Sequence, residues 1–241
     1  MTISRTVSAE SLDSLAENDP SAVHSRRDLR RIHRVMGTRS IVLTALRAIK
    51  TLYRSPMPLR VLELGAGDGT LMLGVARDGR LSWPRVQLTL LDRQTLVDGA
   101  TINAYAQAGW TATPKVEDVL HWARGPAQWP ARWDLIVANL FMHHFEETQL
   151  AELLGAVASR SDRFFACEPR RSWPALAGSR LVGVLGANAV TRADAVLSVH
   201  AGFRATELSA LWLANDTEWQ LREYPAGLFS HCFFAQRRAS L

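Results

Sequence analysis

The sequence predicts an α/β domain: a doubly wound, mostly parallel sheet with helices on both faces and an antiparallel hairpin near its end. Three observations predict it. From residue 60 onward, short apolar runs of strand length alternate with helix-like stretches, and such alternation builds a parallel sheet covered on both sides. The first run, Val61-Leu62-Glu63-Leu64, leads into Gly65-Ala66-Gly67-Asp68-Gly69, a glycine-rich turn that passes a strand directly into a helix. Near the end, 218–224 and 229–236 flank Pro225-Ala226-Gly227, which punctuates a hairpin.

The elements follow in order. Residues 1–22 are polar and carry Asn18-Asp19-Pro20, the composition of a loose tail or a short capping helix. Over 25–52 the apolar residues Leu29, Ile32, Val35 and Met36, then Ile41, Val42 and Leu46, recur at helical steps. Gly37-Thr38 divides this stretch into two helices, with Thr38 or Ser40 capping the second. Pro56 and Pro58 close an N-terminal helical cap, taken as 1–57, ahead of a main domain at 58–241. Strands are expected at 60–64, 86–91, 112–116, 133–138 and 163–167, and helices at 70–77, 94–107, 118–124 and 147–159. Residues 170–212 then interrupt the alternation with helix-like sequence and are expected to form a lid inserted in the main domain.

A chain of 241 residues, 47% of them hydrophobic, can bury a full core, which excludes a disordered chain or a disulfide scaffold. Cys167 and Cys232 lie in apolar runs and match no metal spacing, so they read as reduced core residues of a cytoplasmic protein, and no metal is expected. The opening residues lack the apolar stretch of a signal peptide, and no run approaches the roughly 20 apolar residues of a membrane span. Of the 28 basic side chains only Lys50 and Lys115 are lysines, and the net charge is +5. That skew reads as codon usage in a GC-rich genome, and the arginines are spread along the chain, so nucleic acid is not the expected partner.

The acids around the glycine turn select its ligand. A P-loop needs a lysine after its last glycine, and none lies near Gly69; a dinucleotide fold needs a sixth-position glycine, and Thr70 stands there. Glu63 and Asp68 flank the turn, where carboxylates repel a pyrophosphate and attract an ammonium or a sulfonium. The segment from Glu63 to Gly69 resembles the first motif, Glu/Asp-x-Gly-x-Gly-x-Gly, of the class I S-adenosylmethionine (SAM)-dependent methyltransferases. That resemblance implies a Rossmann-like, seven-stranded sheet and SAM as cofactor, with Glu63, Gly65, Ala66 and Gly67 around it.

An open α/β sheet binds ligands past the carboxyl ends of its strands. Asp92 ends the second strand; the resemblance gives it the ribose hydroxyls, with Arg93 beside it, and helix capping is the structural alternative. Past the third strand lies Val116-Glu117-Asp118-Val119. Here the resemblance has an acid accept the adenine amino hydrogen while the next apolar residue packs on the ring. Asp118 with Val119 matches better than Glu117, and a solvated helix start is the alternative. After the fourth strand, Asp134-Leu135-Ile136-Val137-Ala138-Asn139 resembles the family's fourth motif, which sets Asn139 and Leu140 against the methionine portion and the transferring methyl. The motifs together span about 60–168.

Methyl transfer is an in-line displacement, so positioning supplies much of its rate, and a base is needed only for a protonated nucleophile. His143 and His144 follow the fourth strand, and histidine titrates near neutrality. On a helical turn their rings would point about 100° apart, so one of them would face the site; His144 is preferred as base, His143 is second, and a structural pair is the alternative. The run Leu140-Phe141-Met142-His143-His144-Phe145 lacks the Asn/Asp-Pro-Pro-Tyr/Phe of enzymes acting on nucleic-acid bases and looks like small-molecule methyltransferases, including quinone and polyketide tailoring enzymes. The apolar 170–212 segment suits an aromatic or lipophilic acceptor; its Arg170, Arg171 and Arg180 would contact acceptor polar groups or be solvated. Arg26, Arg30 and Arg34, with Arg27 and Arg31, make one helix face basic: a solvated cap, or a dock for an acidic carrier protein, an anionic membrane or RNA. Thr38 and Arg39 would close over the cofactor carboxylate.

The reading that follows is a methyltransferase acting on an oxygen, less readily a carbon, of a small apolar acceptor of aromatic or polyketide type. The rivals are an RNA or protein methyltransferase that uses the basic helix, and a non-catalytic SAM-binding protein.

Overall fold

A computed structural model describes residues 3–52, 57–78, 85–126, 132–212 and 218–238. Five strands, β1 (Leu59–Leu64), β2 (Val86–Asp92), β3 (Trp110–Val116), β4 (Leu135–Asn139) and β5 (Arg163–Pro169), precede the hairpin of β6 (Trp219–Ala226) and β7 (Ser230–Arg237). Their order across one sheet is β3-β2-β1-β4-β5-β7-β6, with β7 antiparallel to both of its neighbours. Leu135 to Ala138 are all buried, because helices cover both faces and no side of a central strand meets water. Pro114 is tolerated because β3 pairs with β2 alone and lies at the sheet edge.

Alternate side chains of each strand feed two cores. Val61 joins Val42, Leu46, Met72 and Tyr105 under α3 (Thr38–Leu52), α4 (Thr70–Ala76) and α5 (Gly99–Gln107). Leu62 and Leu64 join Leu150, Leu154, Trp212 and Phe233 on the opposite face, under α6 (Val119–Arg124), α7 (Glu147–Arg160) and α10 (Glu207–Leu211). Helix α5 starts at Gly99 rather than at 94, because Asp98 caps it by accepting from Thr101 N at 2.7 Å. Cys167 and Cys232 are buried, unbridged and opposite one another on β5 and β7.

The N-terminal segment departs most from expectation. Residues 3–19 are not a loose tail; of the two expectations the short capping helix is present, as α1 (Ser11–Ser14), and residues 8–14 lie over the carboxyl ends of the strands. Helix α2 (Pro20–Met36) begins ahead of the expected 25, with Asp19 accepting from Ser21 N at 2.7 Å and Pro20 in the first turn. Gly37, at φ +68°, ends α2. Neither Thr38 nor Ser40 caps α3: Thr38 is its first residue, with a buried hydroxyl that lacks a partner, and Ser40 N–H already donates to Gly37 O at 2.9 Å. Pro56 lies outside the described residues.

The buried face of α2 is Ala22, Ser25 and Asp28. Asp28 accepts from Asn188 N at 2.9 Å, and Ser25 contacts the Asn188 side chain at the start of α9 (Ala189–Ala201). The expected apolar stripe, Leu29, Ile32, Val35 and Met36, instead faces a cavity. Residues 170–212 hold α8 (Trp173–Arg180), a 3-10 turn (Val182–Leu185), α9 and α10. Among the described residues no helix is long and apolar enough to cross a membrane.

Candidate active site

Strand order reverses between β1 and β4, so the chains leaving their carboxyl ends diverge and open a crevice there. The crevice is a cavity of about 1060 Å³. Its floor is the glycine turn, Asp92, Asp118 and Asn139; its walls are α2, the Val182–Leu185 turn and residues 8–14.

The turn is shaped for close approach. Gly65 and Gly67 have φ of +65° and +56°, and a Cβ at Gly65 would stand 2.2 Å from the Phe141 ring. Three of its amides are engaged, contrary to the simplest picture of such a loop. Gly67 N–H donates to Asp92 Oδ2 at 2.8 Å, Gly69 N–H to Ala66 O at 2.9 Å, and Thr70 N–H to Asp68 Oδ1 at 3.1 Å. Buried Tyr105 holds the turn from below by donating to Gly69 O at 2.6 Å. With these three donors engaged and acids on either side, this turn is a poor cradle for a phosphate.

The floor offers acceptors instead. Glu63 is buried at the end of β1 with Oε2 unpartnered, and Asn139 Oδ1, at the end of adjacent β4, is equally cut off from solvent and unpartnered. Burial, and then the charges of Asp68 and Asp92, push the Glu63 carboxyl well above the usual carboxylate range. Two orphaned acceptors on neighbouring strand ends, with acids around them, fit a compact cation with several donors, such as an ammonium.

Most of the other expected cofactor residues also line this cavity. Asp92 does not cap a helix; besides Gly67 it holds Gln94 N at 2.9 Å, and each oxygen keeps a further lone pair. Asp118 caps α6 through Leu120 N at 2.9 Å and His121 N at 3.0 Å, so a capping role coexists with its place on the cavity wall. Glu117, beside it, pairs with Lys115 at 2.7 Å and His121 at 3.0 Å, and Val119 is buried. Arg93 reaches out to Asp13 at 3.3 Å. Leu140 has φ +49°, a left-handed conformation that a leucine adopts only at a cost; its N–H donates to Cys167 O at 2.9 Å.

The histidines lie close together rather than diverging: their ring centroids are 4.2 Å apart with the planes tilted by 32°, and both line the cavity. His143 is buried, with Nδ1 2.8 Å from Glu168 Oε2 and Nε2 3.4 Å from Glu10 Oε1. Burial alone would lower its pKa, but hydrogen bonds to Glu10 and Glu168 raise it to about 9. Burial and the neighbouring His143 charge lower His144, whose Nδ1 lies 3.3 Å from Asp13 Oδ2. Fully buried Glu168 also accepts from the backbone N–H groups of Phe141 and Met142 at 3.1 and 3.0 Å, so it fixes the whole turn.

Several expected contacts lie elsewhere. Arg171 is buried and bonds Ile3 O at 3.0 Å and the Gly202 carbonyl, while Arg170 reaches Gly227 O at 3.3 Å. Neither they nor Arg180 line the cavity, and Thr38 and Arg39 do not either. Part of the basic face of α2 is tied into the chain: Arg30 pairs with Asp68 at 2.6 Å and Arg31 with Asp28 at 3.2 Å. Sequence reasoning missed Glu10, Asp13, His33 and Glu168. An acid closing the fifth strand, Glu168, was a signal that could have been found. The others carry none.

No family model and no curated protein sequence matches the chain. Solved structures do. Plantazolicin methyltransferase BpumL in complex with S-adenosylhomocysteine (SAH) superposes with a TM-score of 0.63 at 13% identity over 92% of each chain. An O-methyltransferase family protein from Burkholderia thailandensis gives 0.59 at 15% identity, over 92% of this chain and 62% of that one. Magnesium protoporphyrin IX methyltransferase ChlM from Synechocystis PCC 6803, with bound SAH, gives 0.52 at 13% identity, over 94% and 91%. The fold is that of the class I methyltransferases. In an open α/β sheet of this order, the crevice between β1 and β4 is the ligand end of the sheet, and here the orphaned acceptors and the histidine pair line it.

Proposed function

We propose that this protein is a cytoplasmic SAM-dependent methyltransferase that methylates an oxygen, less readily a carbon, of a small apolar acceptor of aromatic or polyketide type. The observation that carries this reading is the pair of buried, unpartnered acceptors, Glu63 Oε2 and Asn139 Oδ1, beside a glycine turn whose Gly67, Gly69 and Thr70 amides are already engaged. SAM, when bound, supplies an electrophilic methyl on a sulfonium. Glu63 and Asn139 would receive its ammonium, with Gly65, Ala66 and Gly67 admitting the chain closely. Asp92, flanked by Arg93, would accept from the ribose; Asp118 or Glu117, with Val119, would hold the adenine. Leu140 would border the reacting end. A cavity of about 1060 Å³ lies just above the range for one ligand, ~300–1,000 Å³, which leaves room for an acceptor under the apolar stripe of α2.

Of the two histidines, His144 is the base. His143 has both ring nitrogens committed to carboxylates, whereas burial and the His143 charge disfavour the protonated form of His144, which has one carboxylate neighbour, Asp13, beside Nδ1. An acceptor hydroxyl would pass its proton to His144 Nε2 as the oxygen becomes nucleophilic.

Calorimetry with SAH tests the cofactor half. Asp92→Ala should lose at least about tenfold in affinity, from one charged hydrogen bond worth ~1.5–3 kcal/mol; unchanged affinity would remove the ribose assignment. Methylation of alkylphenols tests the other half. His144→Ala should lower turnover far more than SAH affinity, and full activity in both the His143→Ala and His144→Ala proteins would end the base assignment.

A further inference from the structure

Residues 5–17 form a strap whose attachments are specific and widely spaced. Arg5 donates to Ala201 O and Phe145 O, both at 2.9 Å. Ser11 and Leu12 N–H groups, at the start of α1, both donate to the Asp194 carboxylate, at 2.9 and 3.0 Å. Glu17 Oε1 accepts from Thr95 N at 2.8 Å. The strap is therefore pinned to α9 on one side of the cavity and to the segment after β2 on the other. Between those pins it lowers two carboxylates onto the histidine pair: Glu10 onto His143, and Asp13 onto His144.

We propose that Glu10 and Asp13 are positioning residues for the acceptor-side chemistry: Glu10, opposite Glu168, fixes the His143 ring beneath His144, and Asp13 turns His144 so that Nε2 is the nitrogen left for the acceptor. The inference rests on the reading of His144 as base. It adds that the base is assembled only when the strap is docked, so closure of the site and readiness for chemistry are one event. The charged groups around the pair are Glu10 and Asp13 from the strap, Glu168 from β5, and the Arg5 and Arg93 guanidiniums at the His143 carbonyl and Asp13. Glu10, His143 and His144 each also offer an atom to a common point, all within 4.8 Å of one another. A metal ion is the rival occupant. The hydrogen-bonded arrangement is favoured because the Glu10 oxygen that faces His143 also accepts from the Ser198 hydroxyl, and His143 Nε2 already faces that oxygen.

The test is nitrogen-15 NMR of the histidine rings in the full-length protein saturated with SAH, titrated from pH 5 to 10. In the wild type, His143 should hold both ring protons through neutrality, and neutral His144 should carry its proton on Nδ1. Glu10→Gln should lower the His143 midpoint by at least tenfold in proton affinity. Asp13→Ala should leave His143 nearly unchanged and move the His144 proton toward Nε2, which keeps the proposal testable if one variant folds poorly. A wild-type His143 that titrates like a free imidazole, or ring signals unchanged in both variants, would overturn the proposal. So would ring signals that change on dialysis against EDTA and return with Zn²⁺, because they would establish a metal centre. SAH affinity is measured alongside: its absence indicts the cofactor reading, and an unaltered His143 titration with SAH bound indicts this one.

Discussion

Glu63 is a carboxyl that the fold seals from water and leaves without a partner for Oε2. Burial first, then Asp68 and Asp92, raise its pKa well above the ordinary 4.5. The sign of the linkage follows: the folded state holds a proton that the unfolded chain releases, so this group's contribution to stability is present below about 4.5 and is lost as pH climbs through the raised value. A cationic ligand reverses the preference by stabilising the carboxylate. SAH binding at a pH below the raised value should therefore release protons, read by calorimetry in two buffers of different ionisation enthalpy. Glu63→Gln should abolish the release, raise the melting temperature of the ligand-free protein and weaken SAH about tenfold, the loss of one charge-assisted contact. Equal proton release by the variant would mean that Glu63 does not face the ligand. His33 shows the opposite sign. Its Nε2 is buried and unpartnered, and burial lowers its pKa to about 4, so its contribution to stability is present above about 6.5 and fades as pH falls toward 4.

At the scale of elements, Gly202 marks where α9 meets β5. Its φ of −62° suits any residue, but an added Cβ would lie 2.3 Å from the Pro169 carbonyl oxygen, which accepts from Phe203 N at 2.9 Å. Backbone cannot yield as a flexible side chain can. Gly202→Ala should cost roughly 1–3 kcal/mol, as overpacked sites do, seen as a lower melting temperature with SAH affinity largely kept; an unshifted melt would show that α9 is loosely seated. How well the sequence could be read also divides by element. Every strand overlaps its expected range, because continuous apolar runs between glycines and prolines report burial on both faces. The strap was illegible: it has no periodicity, and its order comes from contacts between residues far apart in the chain, such as Glu10 with His143, 133 residues apart, and Ser11 with Asp194, 183 apart. Helix α2 was legible as a helix and misread in orientation. A rule that sends apolar stripes to the core cannot tell a core from a ligand cavity, and here Ala22, Ser25 and Asp28 take the buried face.

Over the whole molecule, three layers contribute to one cavity: acids and orphaned acceptors from the sheet, carboxylates from the strap, and apolar side chains from α2 and the turn after α8. Polar and apolar ends are thus separated, the first matching a charged cofactor and the second an acceptor's hydrocarbon. At the apolar end the large side chains are unusually open to water, with Val35 and Leu181 both 63% and Val184 84% exposed. All three line the cavity, and α2 packs on the turn that carries Val184. Single exposed apolar residues need no explanation, but a cluster at a cavity mouth marks surface awaiting a partner. If that partner is the acceptor's tail, each methylene moved from water onto this rim gains about 0.8 kcal/mol, close to fourfold in binding. For 4-alkylphenols of increasing length, kcat/KM should therefore rise about fourfold per carbon, chiefly through KM, and level off when the tail outgrows the rim. Val184→Asp should flatten the rise, because a carboxylate there keeps its water and denies the tail a dry surface. A series that is flat in the wild-type protein would place the acceptor's hydrocarbon elsewhere and leave α2 as a cover for the cofactor alone.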